Sequence, residues 1–125
     1  MLKFKNLIIS ESASIDRATG NLSVFNIYCN LSTLNFPVIM DRIVVTIIMD
    51  CDGDGSSDEV IELLIKQKEI PDRKQEIPFT LKDFGLNLII RVNNFIIAGP
   101  GKIEFIVKSG NEEIANSFSV TKTGK

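Results

Sequence analysis

The run Ile103-Glu104-Phe105-Ile106-Val107-Lys108-Ser109-Gly110-Asn111-Glu112-Glu113-Ile114-Ala115-Asn116-Ser117-Phe118-Ser119-Val120 carries its apolar residues with a period of two. Ile103, Phe105 and Val107 alternate with Glu104 and Lys108; beyond Ser109-Gly110-Asn111, Ile114, Phe118 and Val120 alternate with Ala115, Ser117 and Ser119. Successive side chains of an extended chain point to opposite faces, so this period collects the apolar groups on one side. One buried and one wet face per strand marks an antiparallel sheet.

The same period holds upstream, where Ile61, Leu63 and Ile65 share a face and Glu62 and Lys66 take the other. Runs of β-branched and aromatic residues predict strands near Phe4–Ser12, Asn21–Asn30, Ile39–Asp50, Val60–Lys68, Asn87–Ile97, Lys102–Lys108 and Glu113–Thr121. A short strand near Ile77–Leu81 is weaker, and the one plausible helix is a single turn near Leu81–Phe84. Turns fall at Arg17–Asn21, at the acidic stretch Asp50–Glu59, at Ala98-Gly99-Pro100-Gly101 and at Ser109-Gly110-Asn111. Seven or eight half-apolar strands cannot lie in one sheet with a single covered side. They predict a single all-β domain over residues 1–125, an antiparallel two-layer β-sandwich, with immunoglobulin-like and C2-like topologies both open. Ile43 to Met49 is apolar on both faces, so that strand is expected to be central or to turn its outer face to a partner chain.

A chain of 125 residues with 44% hydrophobic and 24% charged residues is one ordinary globular domain. A sequence pI near 5.1 argues against nucleic acid, which normally meets a basic face. Lys66 with Lys68 and Arg73 with Lys74 read as solvated strand ends. Leu7-Ile8-Ile9 is broken at once by Ser10 and Glu11, too short for an export signal, and no apolar run is long enough to insert in a membrane. A cytoplasmic location is expected, with Cys29 and Cys51 as free thiols.

Ser12-Ala13-Ser14-Ile15-Asp16, Gly20-Asn21-Leu22-Ser23-Val24, Phe36-Pro37, Asp50 to Gly53, Gly99-Pro100-Gly101-Lys102-Ile103-Glu104-Phe105 and Phe118-Ser119-Val120 occur in a recognisable order. Together they resemble an uncharacterised bacterial family of small, single-domain β-sandwich proteins over nearly the whole chain. The resemblance implies the fold and brings no activity, cofactor or site residue with it.

Asp50-Cys51-Asp52-Gly53-Asp54-Gly55-Ser56-Ser57-Asp58-Glu59 holds five carboxylates. The net charge is −2, so the rest of the chain carries about +3. Counted from Asp50, an EF-hand-type loop finds Asp52, Asp54, Gly55, Ser56 and Asp58 in place, but Ile61 stands where the bidentate Glu belongs. Flanking strands exclude an EF-hand domain. A hairpin-borne loop could still hold calcium through Asp50, Asp52, Asp54, Asp58 and Glu59, with Asp16 or Asp83 as the acid from a second loop. The plainer reading, preferred because the closing ligand is missing, is a solvated turn.

Catalysis is not expected. Without a histidine there is no Ser-His or Cys-His pair and no His-ligated zinc. Neither cysteine sits in a CxxC motif, Tyr28 reads as a packed strand residue, and Gly99-Pro100-Gly101 reads as a hairpin turn rather than a phosphate loop. A non-catalytic binding or assembly module for a protein partner or for self-association is expected, with a calcium-binding C2-like module as the alternative.

Overall fold

A computed structural model of the chain describes residues 2–51, 57–81 and 86–123. They form β1 (Leu2–Ile15), β2 (Leu22–Ile27), β3 (Asn30–Thr33), β4 (Val38–Cys51), β5 (Ser57–Gln67), β6 (Ile70–Leu81), β7 (Leu86–Ile97), β8 (Gly101–Ser109) and β9 (Glu112–Lys122). No helix occurs among the described residues. The helical turn expected near Leu81–Phe84 falls outside them beyond Leu81, which ends β6.

One sheet has the order β2-β1-β4-β7 and the other β3-β9-β8-β5-β6. With β1, β4 and β7 as strands A, B and E, and β9, β8, β5 and β6 as G, F, C and C′, this is the immunoglobulin-like arrangement. The topology left open by the sequence is thereby resolved. Between them Ile9, Ile43, Val45, Ile47, Ile61, Leu63, Ile97, Phe105, Phe118 and others form one buried core. The Phe105 and Phe118 rings stack with centroids 6.0 Å apart, and Phe95 lies 6.3 Å from Phe105.

Three strand expectations need correction. The stretch Asn21–Asn30 is not one strand: the chain leaves the first sheet after Ile27 and enters the second at Asn30. There β3 runs parallel to β9, Asn30 opposite Ser119, so the sandwich is not wholly antiparallel. β6 begins at Ile70, well before Ile77, because an edge strand can be solvated on most of its length. It carries Pro71 and Pro78, residues that a sheet tolerates at its edge. Arg73 and Lys74 therefore lie inside a strand, not at a strand end.

Two connections are also not hairpins. β4 and β5 belong to different sheets, so the acidic stretch joins one layer to the other, and Ala98–Gly101 likewise joins β7 to β8 across the sandwich. Ser109 to Glu112 is a true two-residue hairpin, with Gly110 at φ 59 as a Gly-first turn requires.

β4 is central, as expected, between β1 and β7. Ile43, Val45, Ile47 and Met49 enter the core, while Val44 and Thr46 are buried on the opposite face of the same sheet. The alternation reverses once in each strand: Met40 and Ile43, and opposite them Phe95 and Val92, all turn to the core side. Asn94, at φ 53, absorbs that reversal on β7.

Candidate functional site

The five acids proposed as cation ligands are only partly within the described residues. Asp52 and Asp54 lie outside them. Asp50, near the end of β4, faces Lys3 across the strand pair and holds Lys5 Nζ at 3.6 Å from its Oδ2. Lys5 is the extra residue of a bulge between Phe4 and Asn6, which turns its side chain toward that acid. Asp58, at the start of β5, accepts a 3.2 Å hydrogen bond from the Thr80 hydroxyl of β6, and Glu59, half-buried, follows it on β5. No group of three Asp, Glu, Cys or His side chains able to hold a metal occurs among the described residues.

Asp16 cannot complete such a site. Its Oδ1 accepts from Ala18 N–H at 2.8 Å and Thr19 N–H at 3.4 Å, closing the turn between β1 and β2. Asp50 is opposite Lys3 at the far end of β1. At ~3.3 Å per residue the two acids are about 40 Å apart. Asp83 lies outside the described residues.

The structure gathers other groups that are scattered in the sequence. A cleft of about 410 Å³ is lined by Glu11, Tyr28, Ile39, Met40, Asp41 and Arg42. Tyr28 is not in a strand; it lies between β2 and β3, held by its N–H on the Ile9 carbonyl at 2.8 Å. Its ring packs 5.5 Å from Phe118, as a packed side chain should. Burial pushes its phenol above the ordinary value of 10.0, and the Glu11 carboxylate adds to the shift. Asn26 Nδ2 donates to Glu11 Oε1 at 3.0 Å. The cleft offers an acceptor pair and a guanidinium to a polar ligand. Glu11 and Asp41 are both solvent-exposed.

A second cleft, about 180 Å³, opens between the β6 and β7 edges and is lined by Ile65, Gln67, Ile70, Pro71, Arg73, Asn94, Phe95 and Ile96. Its floor is apolar, since Ile65 and Phe95 are core residues. Both clefts join residues more than 25 positions apart, and no local motif announces either.

Cys29 is exposed and free. Cys51 ends β4 opposite Leu2, whereas Ile27, two residues before Cys29, is opposite Ser10. Eight residues of β1 separate those positions, about 25 Å, far beyond the ~7 Å that a disulfide spans between Cα atoms. Among the described residues no helix is long and apolar enough to cross a membrane.

No family model matches the sequence, and no curated protein matches it. Solved structures do match in shape. A β-glucosidase from Erythrobacter marinus superposes with a TM-score of 0.57 at 11% identity, over 96% of this chain and 15% of its own. A β-glucosidase from Listeria innocua in complex with glucose gives 0.55 at 12% identity, over 97% and 16%. The chain spans only 15% to 16% of the length of those enzymes. At such identities the likeness establishes the sandwich fold alone.

Proposed function

We propose that the chain is a non-catalytic binding or assembly module, cytoplasmic, that engages a protein partner or a second copy of itself and neither nucleic acid nor membrane. The observation that supports this reading is the outer face of the four-stranded sheet. Val44 and Thr46 are buried there, with half-buried Ile8, Ile48 and Ile89 beside them by register. On β2, Phe25 and Ile27 are opposite Ser12 and Ser10 on that same face and are 53% and 54% exposed. Scattered surface apolar residues need no explanation, but Phe25 and Ile27 share one face of β2 and together offer exposed apolar area for a partner to cover. The exposed Cys29 thiol fits a reducing compartment. Likeness to β-glucosidases at 11% to 12% identity bears on the fold and brings no sugar chemistry with it.

The test is sedimentation velocity over a range of concentrations, combined with cross-linking and mass spectrometry in cells. Cross-links centred on β2 and β4, lost in Phe25→Asp with Ile27→Asp while the fold survives, are expected. A strictly monomeric protein with no cross-links on that face would overturn the reading.

A further inference from the structure

The two layers do not match in width. β1 lies over β9, tied by Asn116 Nδ2 donating to the Leu7 carbonyl at 2.8 Å, and β7 lies over β5, tied by Gln67 and Ile96. The four-stranded sheet ends at β7, while the five-stranded one continues to β6. No described strand covers the inner face of β6. That face carries Arg73, Gln75, Ile77 and Phe79, opposite Ile65, Leu63, Ile61 and Glu59 of β5. Ile77 and Phe79 pack partly against the core, whereas Arg73 and Gln75 stay exposed.

The β7 edge beside it has no partner strand among the described residues. It is lightly guarded: from Leu88 to Phe95 it has no proline and one charge, Arg91, and the reversal at Asn94 interrupts it near one end. β6 by contrast carries Pro71, Pro78, Asp72, Lys74 and Glu76 along its length. The Gln67 amide occupies the Ile96 carbonyl and the Ala98 N–H, closing the edge at that end only.

We propose that an extended segment of a partner protein adds to the β7 edge and lays its inner side chains over β6. The chemistry of β6 sets what it must carry. Arg73 makes no ion pair among the described residues, and it rims the apolar cleft over Ile65 and Phe95. Four and six residues along the same strand, Ile77 and Phe79 offer apolar surface. The segment therefore has an Asp or Glu at one end and, on the same face four to six residues away, one or two apolar side chains. Main-chain pairing with an edge supplies affinity in such complexes and the alternate side chains supply specificity. The proposal accepts that the chain is a binding module but uses a surface separate from the outer face of β2 and β4.

The experiment is selection from a random dodecapeptide library on the folded protein, followed by synthesis of an enriched peptide and of its acid→Lys counterpart. An acid at constant spacing from apolar residues is expected, with backbone amide protection appearing on β7. The acid→Lys peptide should bind about tenfold or more weaker, as for a lost charge-assisted contact. Arg73→Glu should reverse that preference, and the peptide swap tests the same contact should that variant misfold. No enriched family, no acid preference, or protection on β2 or β3 instead would overturn the proposal. Concentration-dependent self-association that protects β7 without peptide would overturn it too, since the edge would then belong to a second copy. Absence of β2 and β4 cross-links in the wild-type protein, with peptide binding intact, would remove only the outer-face reading.

Discussion

Gln67 ties the two sheets together at their open side: its Nε2 donates to the Ile96 carbonyl at 2.7 Å and its Oε1 accepts from Ala98 N–H at 3.3 Å. One amide thus serves as a short stand-in for a strand at the end of β7. Gln67→Ala leaves both backbone groups to water, and a cost of about 1–2 kcal/mol is expected from two net hydrogen bonds. Gln67→Glu keeps the acceptor but cannot donate while ionised, so its deficit should shrink as pH falls through the range where carboxylates protonate, roughly pH 4. Urea unfolding of the three proteins across pH measures this; a pH-independent Gln67→Glu deficit would show that the Ile96 bond carries no weight.

Thr46 presents the opposite case. Its Oγ1 is buried on the outer face of β4 and has no hydrogen-bond partner among the described residues. Removing an unsatisfied buried hydroxyl while keeping the shape is neutral or favourable. Thr46→Val is expected to raise stability by about 1 kcal/mol, read from the denaturant midpoint at unchanged slope. A clear loss of stability would mean the hydroxyl is satisfied in solution.

These two residues also mark what the sequence discloses. The alternation around Ile103–Val107 and Ile61–Ile65 depends only on local period, and it survives as buried faces of β8 and β5. The first half of β6, before the strand expected at Ile77–Leu81, escaped because Pro71-Asp72-Arg73-Lys74-Gln75-Glu76 looks like a loop; its strand character comes from β5 alongside it, not from its own residues. Gly99-Pro100-Gly101 reads as a turn correctly, but a turn residue does not encode which sheet the next strand will join. The Glu11–Tyr28–Asp41–Arg42 cleft is brought together by two strands and the linker between β2 and β3, so only the fold reveals it.

Tyr28 titration offers a clean readout, because the chain has one tyrosine. Its phenol is raised above 10.0, chiefly by burial and then by Glu11. A proton held more tightly in the folded state stabilises fully below the unfolded value and is lost as pH rises through the folded one. Stability should therefore fall above about pH 10, and Tyr28→Phe should lack that part of the decline. Phenolate absorbance is expected to give a higher midpoint for folded than for urea-unfolded protein. Glu11→Gln should lower the folded midpoint only partway, since desolvation remains. Equal folded and unfolded midpoints would refute both causes.

Cys29 is exposed, so a thiol reagent should label it in the native protein without denaturant. With Cys51 on the far side of β1, unfolding without reductant should yield two reactive thiols per chain. Cys29→Ser is expected to shift stability by less than about 0.5 kcal/mol, as an exposed substitution does. Mass spectrometry showing an internal Cys29–Cys51 disulfide would require a different arrangement of β2 against β4.

Calcium is the last question, and the described acids bear on it directly. Asp50 holds Lys5 Nζ at 3.6 Å, with Lys3 opposite it on β1, so a cation there would have to compete with the Lys5 ammonium. Asp58 already accepts from Thr80, and Asp16, about 40 Å away along β1, contributes nothing. An oxygen site this incomplete would bind with a Kd no tighter than the order of 10⁻⁴–10⁻³ M. At a hundredfold excess over such a Kd, binding to the folded state alone would add about 2.7 kcal/mol. The expected outcome is instead that thermal melts coincide with and without millimolar calcium, and that Asp52→Asn with Asp54→Asn is equal or slightly more stable because like charges are relieved. A calcium-dependent rise in Tm for the wild-type chain, abolished in that double variant, would restore the cation site and show that Lys5 yields Asp50 to the ion.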